Sequence, residues 1–115
     1  MMEDQINANL KAMDDLDFEG WNNADWQGVF ATQHTDDVYV DFKGQEPTRG
    51  LEAHIDAMKA FVESAGGTPP KVVSHPIGFG SGAWTCVVGE FGAGSRMVTV
   101  AKWRDGAIAE EYIWI

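Results

Sequence analysis

The sequence predicts an α+β domain in which helices lie on one face of an antiparallel sheet. In the first half of the chain, apolar residues recur mainly at helical spacing, and one strand-like segment interrupts them. The second half contains four alternating segments separated by glycine-rich turns, which is the pattern of a β-meander. With 115 residues, of which 44 % are hydrophobic, the chain is expected to form a single domain over residues 1–115.

Three helices are predicted before the meander. The first covers the opening 20 or so residues, and its apolar stripe consists of Ile6, Leu10, Met13, Leu16 and Trp21. A short second helix is expected to follow a cap at Asp25 and to carry Trp26, Val29 and Phe30. The third lies in "RGLEAHIDAMKAFVESAGG", where Gly66-Gly67 ends it, and its core stripe is Leu51, Ile55, Met58 and Val62.

Five strands are predicted. The first runs roughly from Asp37 to Phe42 and is broken by Gly44 and Pro47. The other four lie in "KVVSHPIGFG", "AWTCVVGEF", "RMVTVAKWR" and "AIAEEYIWI". The turns between them are Gly80-Ser81-Gly82, Gly92 to Ser95 and Asp105-Gly106.

Large apolar residues occupy both faces of the late strands. Trp84, Cys86 and Val88 share one face, whereas Val87 and Phe91 share the other. Helices cover only one face of such a sheet, so we expect a second copy of the chain to cover the other and form a homodimer.

Charge and composition narrow the functional classes. The net charge of -10 argues against nucleic acid and anionic membranes as partners. The sequence has no apolar stretch long enough to cross a bilayer, and "MMEDQINANL" lacks the basic and apolar regions of a signal peptide, so a cytoplasmic protein is expected. Cys86 is the only cysteine, which excludes an intrachain disulfide and a cysteine-rich metal site.

Two motifs and the order of elements give the chain a family resemblance. The first motif is "TDDVYVDFKGQEPTRG", an acidic turn, a strand, a loop and an Arg-Gly pair that opens a helix. The second is "VAKWRDGAIAEEYIW", in which Asp105-Gly106 turns the final hairpin. Together they resemble the SnoaL-like polyketide cyclases within the nuclear-transport-factor-2-like (NTF2-like) superfamily. The resemblance implies a cystatin-like cone, a curved antiparallel sheet wrapped around three N-terminal helices.

The resemblance also implies which side chains face the interior of the cone. Those expected inward are Trp84, Cys86, Val88 and Glu90, then Met97, Thr99 and Ala101, and finally Glu111 and Ile113. Tyr112 and Trp114 then lie on the outer face, which such proteins use for dimerisation. A deep apolar pocket inside the cone would hold a small hydrophobic ligand.

Asp41 is the first candidate for a catalytic base. It matches, within one residue, the position of the general base in ketosteroid isomerases of this fold. The alternative is an aspartate in water at the end of a strand, where most aspartates are found. The other catalytic patterns of the fold are incomplete, because the isomerase oxyanion hole would fall on Asp17 and Thr99 and the cyclase acid–base pair on Thr99 and Ile113.

Glu111 and two histidines are the remaining acid–base candidates. An inward Glu111 in an apolar setting would have a raised pKa and could act as an acid or a base, whereas an outward one would pair with Lys102 or Arg104. His34 and His54 are possible partners, with a structural role as the alternative for each, and His75 is expected to be structural. The spacing of these residues does not support a metal site, and no cofactor is expected.

The resemblance predicts a pocket with aromatic and apolar walls. The expected ligand contacts are Trp21, Trp26, Phe30, Met58, Trp84, Cys86, Val88, Met97, Thr99 and Ile113. The sequence thus leads to a hypothesis of cofactor-free proton transfer on a carbonyl compound, by isomerisation, cyclisation or dehydration. Asp41 or Glu111 would act as the base with help from His34 or His54. The alternative is a non-catalytic dimeric module that binds a ligand or a partner.

Overall fold

Three helices form the inner layer of the fold in the computed structural model, which describes residues 2–92 and 94–115. Helix α1 spans Met2–Asp15 and continues as wider π-helical turns over Leu16–Trp21. Helix α2 is the short segment Trp26–Phe30, and the Asp25 side chain accepts a hydrogen bond from the Val29 backbone N–H, as the sequence predicts. Helix α3 spans Leu51–Ser64.

Six strands form one curved, open sheet that packs on these helices. Their bounds are β1 His34–Phe42, β2 Thr48–Arg49, β3 Val72–Ser81, β4 Trp84–Phe91, β5 Arg96–Arg104 and β6 Ala107–Trp114. The strand order is β2-β1-β6-β5-β4-β3. The predicted α+β cone is therefore confirmed, and so is the four-strand meander.

The sheet is mixed, which differs from the antiparallel arrangement expected for every pair. Strand β1 runs parallel to β6, although all other neighbours are antiparallel. This pairing arises because α3 crosses over between β1 and the meander, and the last strand returns to lie beside the first. Periodicity within each strand contains no information about the direction of its neighbour.

The core lies between the inner face of the sheet and the helices. Strand β1 contributes Val38, Val40 and Phe42, all buried, so the alternation in this strand has its apolar side inward. The other buried apolar side chains come from every helix and from β3 to β6: Met13, Leu16, Trp21, Phe30, Ile55, Met58, Val62, Val72, Val87, Ala101, Trp103, Ile108 and Ile113.

The expected register of β4 is wrong by one residue. Thr85 and Val87 face the core, and Trp84, Cys86 and Val88 lie on the outer face. The pairing of the strands determines this register. Val87 pairs with Thr99 and Thr99 pairs with Ile113, so all three side chains lie on the same, buried face of the sheet. On β5 and β6, by contrast, Thr99, Glu111 and Ile113 face inward as the resemblance implies.

Two turns require their particular residues. Asp105 and Gly106 both have positive φ, at 53° and 82°, which is the two-residue hairpin turn that an Asp-Gly pair favours. Gly50 joins β2 to α3 with a φ of 101°, a backbone conformation that residues with a Cβ atom rarely adopt. In the predicted turn from Gly92 to Ser95, residue 93 lies outside the described residues. No helix in the described ranges is long and apolar enough to cross a membrane.

Candidate functional site

A small cavity lies between the helices and the inner face of the sheet. Its volume is about 40 Å³, roughly three times the space that one water molecule requires. Aromatic and apolar groups form most of its wall, and Asp17, His54, Thr99 and Glu111 are its polar members. The apolar lining residues are Leu16, Trp21, Phe30, Phe42, Met58, Phe61, Met97, Ile113 and Ile115.

Glu111 is buried at the wall of this cavity and contacts two histidines. Its side chain comes from β6, and the residue is only 3 % exposed. His34 Nε2, from the start of β1, lies 3.1 Å from Glu111 Oε1, and His54 Nε2, from α3, lies 3.5 Å from the same oxygen. Three elements that are distant in sequence thus place one carboxyl and two imidazole groups together.

The hydrogen-bond geometry fixes how many protons His34 and Glu111 share. His34 Nδ1 lies 2.7 Å from the Phe30 carbonyl, which only accepts, so this nitrogen donates. The contact between Nε2 and Glu111 needs a second proton, located either on the imidazole or on the carboxyl group. The pair therefore carries no net charge in either arrangement, and the shared proton can move between an acid and a base.

The same contacts determine the ionisation of Glu111 and His54. The expected rise in the pKa of Glu111 is wrong. Burial acts to raise this pKa, but the hydrogen bonds from His34 and His54 outweigh it and hold the pKa well below its usual range. Burial lowers the pKa of His54, so this ring is neutral near pH 7. Because His54 Nε2 faces a carboxylate, Nε2 carries the ring proton and Nδ1 has the free lone pair. His54 Nδ1 is buried and has no hydrogen-bond partner among the described residues.

A second buried carboxyl group, Asp17, lines the same cavity. Asp17 Oδ2 lies 2.7 Å from His75 Nε2, and His75 Nδ1 lies 2.8 Å from Asp14 Oδ1. Burial raises the pKa of Asp17, although the hydrogen bond from His75 acts in the opposite direction. Burial would lower the pKa of His75, but its bonds to the two carboxylates prevail and raise it.

The structure brings some predicted site residues together and separates others. His34, His54 and Glu111 form one cluster, and the predicted wall residues that line the cavity are Trp21, Phe30, Met58, Met97, Thr99 and Ile113. Trp26 packs behind this wall against Trp21 and Phe30. Trp84, Cys86 and Val88, which were expected as ligand contacts, lie on the opposite face of the sheet, because the register of β4 places them there.

Asp41 also lies on the outer face. Its carboxylate pairs with Lys43 Nζ at 3.0 Å and is partly exposed, since the inward positions of β1 are taken by Val40 and Phe42. The expectation that Asp41 meets the pocket is therefore wrong, and the solvent-exposed alternative describes its position.

The resemblance placed Asp17 at the oxyanion-hole position of the isomerases, but Asp17 was not counted among the site residues, and its contact with His75 was missed. The sequence did contain a signal for the position of Asp17, which lies four residues after Met13 and four before Trp21 on the buried stripe of α1. An aspartate within an apolar helical stripe is costly to bury unless it is paired, and it therefore marks a polar cluster. Its partner, His75 on β3, could not be identified from the sequence, because only the tertiary fold brings the two residues together.

Among the described residues, one set of histidine and carboxylate side chains has its potential ligand atoms close enough together for a metal site, namely His34, His54 and Glu111. One potential ligand atom from each of His34, His54 and Glu111 lies within 4.8 Å of the others. Ligands around a tetrahedral zinc ion would be about 3.3 Å apart, given bonds of about 2.0 Å. The distances of 3.1 Å and 3.5 Å from Glu111 Oε1 to the two imidazole nitrogens are close to this separation, and the shorter one also fits a direct hydrogen bond.

Comparison with solved structures identifies the fold class as NTF2-like. A protein from a soil-derived mobile gene cassette, Bal32a, is similar over 96 % of this chain and 90 % of its own, with a TM-score of 0.79 and 14 % identity. An NTF2-like protein from Anabaena variabilis is similar over 99 % of this chain and 91 % of its own, with a TM-score of 0.78 and 16 % identity.

A further similar structure links the fold to the resemblance found in the sequence. A protein from Jannaschia sp. CCS1 that is named after the SnoaL-like polyketide cyclases has a TM-score of 0.71 and 20 % identity, over 94 % of this chain and 85 % of its own. At these identities the comparisons establish the fold alone. No family model matches the sequence, and no curated protein is detectably similar to it.

Proposed function

We propose that the protein binds a small molecule with an apolar body in this cavity and moves a proton on it. The observation that carries the proposal is the buried Glu111, which shares one proton with His34 at the wall of an apolar cavity. Such a pair accepts a proton from a ligand, which gives the pair one positive charge, and returns it in a later step, which restores the neutral pair.

His54 and Thr99 complete the proposed proton-transfer site. His54 contacts Glu111 and lines the cavity, so it holds the carboxylate in place. The Thr99 hydroxyl is a neutral donor for a ligand oxygen, such as that of a carbonyl group. Isomerisation, cyclisation and dehydration are reactions that one acid–base centre supports without a cofactor.

The volume of the cavity limits the ligand. At about 40 Å³ it has room for a molecule of a few heavy atoms, and the rings of Trp21, Phe30 and Phe61 occupy the remaining interior. A flat, apolar molecule of this size fits between these rings better than a large polycyclic one.

The alternative is a non-catalytic module that binds the same ligand. In either case we propose a homodimer formed through the outer face of the sheet. Several large apolar side chains are exposed on this face, namely Val73, Ile77, Phe79, Trp84 and Trp114. Its charges are balanced by the ion pairs Asp41–Lys43, Glu90–Arg96, Glu110–Lys102 and Asp37–Arg104, so two copies meet here without net repulsion.

Hydrogen–deuterium exchange at carbon tests the catalytic proposal. Cyclopentanone is a suitable probe because it is small and carries exchangeable protons beside its carbonyl group. In D₂O, the protein should accelerate exchange measured by proton NMR, and Glu111→Gln should reduce the acceleration by about 100-fold or more. Glu110→Gln is the matched control, since its side chain lies on the outer face and the change in charge is the same.

The outcome separates the two alternatives. Loss of exchange in Glu111→Gln with retention in Glu110→Gln supports an acid–base enzyme. If the wild-type protein shifts the NMR signals of the probe on binding but leaves its exchange rate at the solvent value, the catalytic proposal fails and a binding module remains.

A further inference from the structure

Hydrogen-bond acceptors outnumber donors on the wall of the cavity. Asp17 and Glu111 contribute carboxyl oxygens to this wall. The indole N–H of Trp21 is already used, because it donates to the Pro70 carbonyl at 2.8 Å. Among the described lining residues none is lysine or arginine, so the Thr99 hydroxyl is the main side-chain donor left for a ligand.

The proton count around Asp17 leaves a negative charge on the cluster formed by Asp14, Asp17 and His75. Both nitrogens of His75 contact carboxyl oxygens, of Asp14 and of Asp17, so the two contacts contain two protons. Whether both protons are on the imidazole or one is on a carboxyl group, the three side chains carry a net charge of about -1. The pair of His34 and Glu111 is neutral by the same count.

We propose that Asp17 and the aromatic walls form a subsite for a small ammonium group. The inference rests on the proposed small-molecule site and concerns the ligand that it takes. An ammonium group supplies the donors that the cavity lacks, and its charge offsets that of the Asp17 cluster. The rings of Trp21, Phe30 and Phe61, which line the same cavity, stabilise a cation through their π faces. The preferred ligand is then a small apolar amine, and the proton moves on a compound that carries this group.

Other ligand classes match the cavity less well. A carboxylate would bring acceptors and negative charge to a wall that already has both. A simple ketone brings one acceptor and uses only Thr99. An alcohol brings one donor but no charge to offset the Asp17 cluster. The expected order of affinity is therefore amine, then alcohol, then ketone.

Three probes of one shape test this order. Cyclopentylamine, cyclopentanol and cyclopentanone have the same ring and the same number of heavy atoms. Each is titrated into the wild-type protein near neutral pH, and binding is followed by NMR through the indole N–H signal of Trp21, which lies at the cavity. We expect the amine to bind about tenfold more tightly than the alcohol, as one charge-assisted contact would provide.

A pair of variants assigns the preference to Asp17. Asp17→Asn should reduce the affinity for the amine about tenfold and leave that for the alcohol nearly unchanged. Asp15→Asn is the control, because it removes the same charge from the same helical segment but is paired with Lys11 outside the cavity. Equal losses in the two variants would show that the overall negative charge, not Asp17, attracts the amine, and would refute the inference.

The ranking in the wild-type protein decides the question even if Asp17→Asn does not fold. An alcohol or ketone that binds as tightly as the amine refutes the ammonium subsite while the proposed small-molecule site survives. If none of the three probes shifts the Trp21 signal, the small-molecule site fails and the inference fails with it.

Discussion

The buried pair of Glu111 and His34 affects both the stability of the fold and the protonation of the cavity wall. A lone carboxylate in this interior would be strongly destabilising, because it loses its hydration. The contacts with His34 and His54 replace that hydration and keep the pKa of Glu111 low. The same contacts leave a proton on the wall of a cavity, where a ligand can exchange it.

The stability of the fold should depend on Glu111 in a pH-dependent way. Because the pKa of Glu111 is lowered in the folded state, its stabilisation is fully present above about pH 4.5 and is lost as the pH falls toward the lower value. We expect Glu111→Gln to reduce the free energy of unfolding by about 1–3 kcal/mol near neutral pH, and by less in acid. Urea denaturation at several pH values measures this difference.

Glu110→Gln is the control for this measurement as well. Its side chain is on the outer face and makes a surface ion pair with Lys102, so the change should stay within about 0.5 kcal/mol at every pH. A constant penalty for Glu111→Gln across the acid range would contradict the assigned ionisation of Glu111.

At the level of residues, the sequence predicted part of the site. Two adjacent glutamates on a strand must face opposite sides, so one carboxyl of Glu110-Glu111 had to point inward, and the resemblance selected Glu111. Asp41 and Trp84 could not be placed from the sequence, because strand periodicity separates two faces without showing which one is buried. The partners of Glu111 and Asp17 come from distant segments, and a single sequence contains no signal of that proximity.

At the level of elements, the contact between α1 and β3 depends on His75. His75 lies on β3 and bonds to Asp14 at the end of α1 and to Asp17 in the π-helical turns that follow. The ring also packs on Phe18, with 4.6 Å between ring centroids. The widened turns after α1 place the Asp17 carboxyl both at the cavity and at His75, and the periodicity of apolar residues did not reveal this irregularity.

Replacement of His75 by phenylalanine should destabilise the protein. The change keeps an aromatic ring but leaves the buried Asp17 without its donor, which we expect to cost about 2–4 kcal/mol. The pKa of His75 is raised in the folded state, so its stabilisation is present below about pH 6.5 and is lost as the pH rises through the higher value. The difference between wild type and His75→Phe should thus shrink in alkaline solution.

A double-mutant cycle identifies the source of the effect. In an Asp17→Asn background, His75→Phe should cost much less, since no buried carboxylate is left unpaired. An unchanged cost in that background would mean that Asp17 is not the source of the effect and would assign it to the lost bond with Asp14.

At the level of the whole molecule, charge is divided unequally between the two sides of the sheet. Five of the eight lysine and arginine residues lie on the outer face: Lys43, Arg49, Arg96, Lys102 and Arg104. Four carboxylates pair with four of them there. The other 14 of the 18 acidic residues are accompanied by only three lysines, so the net negative charge comes from residues outside these ion pairs.

Sedimentation equilibrium tests the dimer. We expect the wild-type protein to have the mass of two chains and Phe79→Glu to shift it toward one, because Phe79 is 59 % exposed on the outer face and a buried, unpaired charge is costly. Lys59→Glu on the exposed side of α3 is the control and should leave the mass unchanged. A monomeric wild-type protein at high concentration would refute the interface.

The fold as a whole was the part most accessible from the sequence. The three helices and the meander follow from apolar spacing and turn residues, which are local signals. Local signals do not show which strands pair across the fold. The parallel pairing of β1 with β6 and the short strand β2 were therefore not predicted.

The place of β6 between β1 and β5 has a consequence for how the chain reaches this structure. During synthesis β1 is complete long before β6, yet its only neighbour apart from the two-residue strand β2 is β6. The apolar side chains of β1 therefore stay exposed during synthesis until β6 is made. Strand β6 then pairs with both β1 and β5 and joins the first strand to the meander. The same strand carries Glu111, so the proposed acid–base group reaches the cavity in the step that completes the sheet. Incomplete chains that lack β6 would expose apolar surface to chaperones and proteases, and they would also lack Glu111.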